Sequence, residues 1–303
     1  IGMAIGLIVF IWKQKDLGLA GSQAPNPLLP HERKISAMIF GIGSVIVAVL
    51  VLVAIVTDTF TIENISLVIT FLGIAIPTIL ITIMYRSKKT TADEKSRVLA
   101  YIPLFVCAVM FWAIADQSAT ILATFVDTRT DLTVGNFEIP AAWFQSINPM
   151  FIFALAPLFA LLWTKLGDRG PATSKKFALS LFFSGASFFV MIVPIVMAGD
   201  GELINPLWVL LSFLLVVIGE LLLSPVGLSA TTKLAPAAFA GQTMALWFLA
   251  SAAASAINAQ LVRIYEVVSE VTYFGVLGGI SVLLGVILLI MSPIIQRAMR
   301  GIK

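Results

Sequence analysis

The chain of 303 residues is 59% hydrophobic and only 12% charged, with a net charge of +3. An average soluble domain carries about 25% charged residues, so an ordinary water-soluble fold is excluded and the lipid bilayer is the solvent that fits. A charge this small, with no basic patch interleaved with aromatics, speaks against a nucleic-acid partner.

Residues 1–12, "IGMAIGLIVFIW", are apolar but too few to span alone, and they read as the end of a truncated helix. Residues 13–34, "KQKDLGLAGSQAPNPLLPHERK", are polar and rich in Gly and Pro, which makes them a linker. Eight apolar runs follow: Ile35–Thr57, Ile65–Tyr85, Val98–Phe125, Ala142–Thr164, Phe177–Ala198, Asn205–Leu228, Gly241–Val262 and Val271–Pro293. Each can cross as a helix, which satisfies its own backbone hydrogen bonds where lipid cannot. Pro77 predicts a kink in the second run. Pro225 and Gly227 predict a break or loosening in the sixth. The expected fold class is an all-α membrane protein.

The loops test this topology. Numbered alternately from the linker, one side collects seventeen Lys and Arg residues and the other only Arg129 and Arg263. Positive loops stay in the cytoplasm, so the linker and the carboxy terminus are placed there. Of sixteen acids, only Asp116 and Glu220 fall within spans, and no Lys, Arg or His falls there to pair with them. An Asp at a helix centre costs about 2.5–3.5 kcal/mol on the insertion scale, and such residues usually face a cavity on an ion, proton or substrate path. The plainer alternative is a carboxyl that merely bonds a neighbouring helix.

Other residues gather near these two acids. In "GELLLSPVGLSATTKLAP", Ser224 lies one turn from Glu220 on the same face. "MFWAIADQSAT" sets Trp112 and Asp116 on one face, with Thr120 a turn further along. "WFQSINPMF" puts Gln145 three residues before Asn148, whose Asn–Pro pair is either an irregular turn or a polar contact. "GQTMALWFLASAAASAINAQ" carries Trp247, Ser251, Ser255 and Asn258 at helical spacing, while Ala252 and Ala256 suit close helix packing. The one cysteine, Cys107, permits no internal disulfide and no metal spacing. There is no HExxH, no G-x-S-x-G and no Walker loop, so neither an embedded protease nor an ATP-driven pump has visible chemistry. Isolated acids, amides and Trp residues fit a solute pathway.

"GELLLSPVGLSATTKLAP" followed by "MALWFLA" closely resembles the second half of the proton-dependent oligopeptide transporter (POT/PTR) family of the major facilitator superfamily. "FWAIADQ", "QSINP" and "LGDRGPATSKK" resemble its seventh helix, its eighth helix and the loop after the eighth, in the right order. The resemblance implies a carboxy-terminal six-helix bundle over residues 87–303, helices seven to twelve, preceded by an extra transmembrane helical hairpin over residues 35–86. Residues 1–12 would end helix six. Glu220 then matches the acid that receives a peptide's amino terminus and takes part in proton coupling. Asn148 matches an amide contacting the peptide backbone, Trp247 and Ser251 shape a side-chain pocket, and Gln145 and Trp112 line the same cavity. Asp116 matches the gate acid that pairs with an Arg of the first helix. The function implied is proton-coupled symport of di- and tripeptides across a bacterial cytoplasmic membrane, with protons as the coupling ion and no cofactor. The partners implied are the peptide, the bilayer and an amino-terminal six-helix bundle. Transport of another small solute (an amino acid, nitrate or a drug-like amphiphile) and a non-transporting membrane scaffold are the alternatives.

Overall fold

The computed structural model describes residues 2–18, 27, 29–199 and 201–300. The first residue of the expected helix end, residues 19–26 and 28 of the linker, Asp200 and the last three residues lie outside them. Among the described residues, eight helical spans are long and apolar enough to cross a membrane, and they coincide with the eight runs read from the sequence. The chain divides into two compact units, Ile1–Thr59 with Ala237–Phe239 and Phe60–Pro236 with Ala240–Lys303.

The first unit holds α1 (Gly2–Lys13) and α2 (Pro30–Val56). Pro30 opens α2 where its missing N–H would have no helical partner. The Leu29 N–H beside it donates to Glu32 Oε2 at 2.8 Å. No residue of α2 is buried, and its Val, Ile and Leu side chains stand exposed all round. Such a helix is at home only in hydrocarbon.

The second unit contains α3 (Ile62–Arg86), α4 (Ala92–Ala115), α5 (Ile121–Arg129), α6 (Ile147–Leu166), α7 (Thr173–Ala198), α8 (Pro206–Leu234), α9 (Ala240–Tyr265) and α10 (Glu270–Ala298). α3 runs on through Pro77. α8 runs on through Pro225 and Gly227, so the break expected there is not found. Gly227 serves packing instead, because a Cβ added there would lie 2.1 Å from the Trp247 ring.

α7 forms the spine, packed against α8 and α10. Gly185 and Gly278 bring α7 and α10 together so closely that an added Cβ on either would meet a carbonyl of the other within 3.0 Å. Ser184 and Ser281 (2.9 Å) and Ser174 and Ser292 (2.7 Å) bond across the same seam. Lipid tails are as apolar as leucine, so small residues and interhelical hydrogen bonds, averaging about 0.6 kcal/mol each, drive this association.

α3 is fastened to α9 in the same way. Gly73 allows the approach, since its added Cβ would stand 3.0 Å from Ala256 Cβ. Thr70 Oγ1 donates to the Ala256 carbonyl at 2.8 Å. Gln260 donates to Thr70 Oγ1 at 3.1 Å, and Arg263 pairs with Glu63 at 2.9 Å. Between α5 and α6 lies a short antiparallel hairpin, β1 (Thr133–Val134) with β2 (Phe137–Glu138).

Candidate functional site

The third apolar run is not one helix. α4 stops at Ala115, Asp116–Ala119 form a 3-10 turn, and Thr120 (φ −124°, ψ −95°) redirects the chain into α5. Breaking a helix inside a membrane frees carbonyls that lipid cannot satisfy. Gln117, fully buried, donates through Nε2 to the Ala113 carbonyl at 3.0 Å. Gln145 donates to the Ser118 carbonyl at 2.8 Å from the 3-10 stretch Ala141–Ser146 that leads into α6. The two amides secure the break, and Asp116 sits at its first residue.

Beside the break opens a cleft of about 590 Å³, all of it within the second unit. α4 and the break supply Trp112, Asp116, Ser118 and Thr120; α6 supplies Asn148, α8 Glu220, and α9 Ser251, Ser255 and Asn258. Asp116 Oδ2 accepts from Ser255 Oγ at 2.9 Å. Glu220, half-buried, has no hydrogen bond or ion pair among the described residues. Asn148 Oδ1 is buried and likewise has no donor among them. Two acids on one cleft repel each other unless a cation or a proton enters. The arrangement therefore suits an ammonium group whose neighbouring N–H needs an acceptor.

Five of the residues expected from the sequence meet here: Trp112, Asp116, Asn148, Glu220 and Ser251. Two stand apart from the cleft. Trp247 is 7% exposed, with its ring over Gly227 and edge-on to Phe177 at 6.4 Å between centroids. Gln145, besides holding Ser118, borders a smaller cavity with Thr124 and Asp127. Ser255 and Asn258 had a signal in the sequence, the helical spacing from Ser251, although it did not single them out as site residues. Gln117 had none, because the partners that give it a role, Asn258 and Tyr273, are distant in sequence.

A second cavity, of about 390 Å³, lies on the far side of Gln117 between α3, α4, α9 and α10. Its walls are apolar except for Thr78 and Gln117, which suits hydrocarbon rather than a charged solute. Among the described residues no three His, Cys, Asp or Glu side chains come together as metal ligands.

The family model described as "POT family" matches residues 1–283. The chain is 53% identical, over its whole length, to an uncharacterized transporter, YclF, of Bacillus subtilis, and covers 61% of that protein. It is 43% identical to a di-/tripeptide transporter of Lactococcus lactis subsp. cremoris, over 80% of this chain and 50% of that one. A crystal structure of a variant of a peptide transporter POT in complex with sulfate matches 99% of this chain and 61% of its own, at 55% identity and a TM-score of 0.86. The chain thus spans between half and about three fifths of the length of these relatives.

Proposed function

The chain belongs to the POT family, a family of transporters, and from that premise we propose that it works in proton-coupled symport of di- and tripeptides. α4 to α10 are the carboxy-terminal bundle of such a transporter, α2 and α3 its accessory hairpin, and an amino-terminal bundle completes the path by alternating access. The membrane is the cytoplasmic membrane of a bacterium, with the linker and carboxy terminus on the cytoplasmic side, as the seventeen-to-two split of basic residues supports.

The observation that carries this reading is the pairing of an uncompensated Glu220 with the unpartnered Asn148 Oδ1 on one cleft. A peptide brings both complements, an ammonium for the carboxylate and an amide N–H for the carbonyl. Transporter sites of this kind lie near the midplane between two halves. Asp116 works as the gate acid: held by Ser255 on its own half, it pairs with a cation of the other bundle. A proton arriving on either acid weakens its pairing and lets the halves rock, which couples proton entry to peptide movement. Trp112 and Ser251 bound the side-chain pocket, Trp247 supports it from behind, and Gln145 supports the break.

The test is uptake of labelled dialanine by the full-length protein in liposomes under an inward proton gradient. Gradient-driven accumulation is expected in wild type and is lost in Glu220→Gln. A folded wild type that moves no dialanine would refute the peptide assignment, and an unimpaired Glu220→Gln would remove Glu220 from the machinery.

A further inference from the structure

We propose that Asn258 is a further substrate contact, donating from Nδ2 to the amide carbonyl oxygen of the bound peptide; this rests on the peptide reading above. Ala113 lies one wall behind the cleft. Its carbonyl can only accept, so the Gln117 atom 3.0 Å from it is the NH₂ group. Gln117 Oε1 is thereby turned to Tyr273, whose hydroxyl donates to it at 3.0 Å. The same Nε2 also faces Asn258, which must answer with Oδ1, at 3.4 Å. One amide thus orients the other, and Asn258 Nδ2 is left over.

That Nδ2 is buried and has no acceptor among the described residues. Asn258 itself is 4% exposed and lines the cleft with Glu220, Asn148 and Ser255. Buried amide donors in folded proteins are nearly always satisfied, so an orphan in the wall of a cleft marks a partner that comes with the ligand. The peptide's amide carbonyl is the acceptor that fits. Its ammonium and N–H are already matched by Glu220 and Asn148. Its carboxylate is disfavoured beside Asp116, which Ser255 holds one turn from Asn258.

The experiment compares dialanine with its thioamide analogue, in which a weakly accepting sulfur replaces that oxygen. Both are measured for KM in the full-length protein, as wild type, Asn258→Ala and the near-isosteric Asn258→Asp. Wild type should favour the oxygen compound by about tenfold, and both variants should bring the ratio close to one by raising the dialanine KM. A merely structural Asn258 would raise both KM values together and leave the ratio intact, which overturns the proposal. An equal preference in wild type overturns it too. Should a variant lose its fold, the wild-type preference, together with its presence or absence in the other variant, still decides. A folded wild type that takes up neither compound would instead refute the peptide reading itself.

Discussion

Gly227→Ala should destabilise the protein even though alanine is the better helix former. The added Cβ would lie 2.1, 2.4 and 2.9 Å from three atoms of the Trp247 ring. Carbon atoms in contact stand about 3.5–4.0 Å apart, so the ring must retreat by more than an ångström. Its way is blocked by Phe177, which is 1% exposed and edge-on to it. Overpacking a well-filled site costs about 1–3 kcal/mol, against roughly 0.5–1 kcal/mol gained by replacing glycine inside a helix. At the midpoints of these ranges a net loss of about 1 kcal/mol remains. The assay is thermal unfolding in detergent of wild type, Gly227→Ala, Trp247→Phe and the double variant. Trp247→Phe empties the space that the new methyl needs, so the two changes should offset each other by about 1 kcal/mol in the cycle. A Gly227→Ala protein as stable as wild type, or a strictly additive cycle, would refute this account of the Trp247 seat.

Three further outcomes are expected. Gly73→Leu should force α3 away from Ala256 and cost about 1–3 kcal/mol, read as a lower disulfide yield between Glu63→Cys and Arg263→Cys placed across the outer end of the pair. Gln145→Ala should strip the Ser118 carbonyl of its donor and lower stability by about 1 kcal/mol, with Gln145→Glu unable to rescue it because a carboxylate cannot donate. In the hairpin, hydrogen bonds from the Thr133 hydroxyl and backbone N–H hold the Asp131 carboxyl below the usual carboxylate range. Its contribution to hairpin order is therefore present above the ordinary Asp pKa and is lost as pH falls through the lowered one. Thr133→Val should move the Asp131 NMR titration back up, and an unmoved titration would show that the backbone N–H alone holds it.

The spans were legible because lipid imposes a length and a composition, and the two acids stood out because nothing else charged lies in those runs. The break after Ala115 was not legible. "ADQSAT" contains no Pro or Gly, and the turn is held by partners distant in sequence, Gln145, Asn258 and Tyr273. The reverse happened in α8, where Pro225 and Gly227 suggested a break that is not there. Pro225 lies on an exposed face, where a helix can lose one hydrogen bond without ending, and Gly227 answers to an indole ring from another helix. Glycine states only that a side chain is unwelcome. Whether bending or crowding is the reason depends on the neighbours. Trp247 illustrates the same limit, since helical spacing put it on the stripe with Ser251 while one turn of distance carried it into the α8–α9 seam.

The fastening of α3 has a consequence for how relatives can differ. Gln260 reaches outward to Thr70 and Ser66, and Arg263 to Glu63 and Ser66. Without α3, Gln260 would face hydrocarbon, where an unpaired polar side chain is costly, and Arg263 at the outer end would lose its Glu63 partner. α3 and the polarity of that flank of α9 are thus physically coupled. A relative built without the helix is expected to carry an apolar residue where Gln260 stands, whereas Arg263 can keep its charge at the membrane surface.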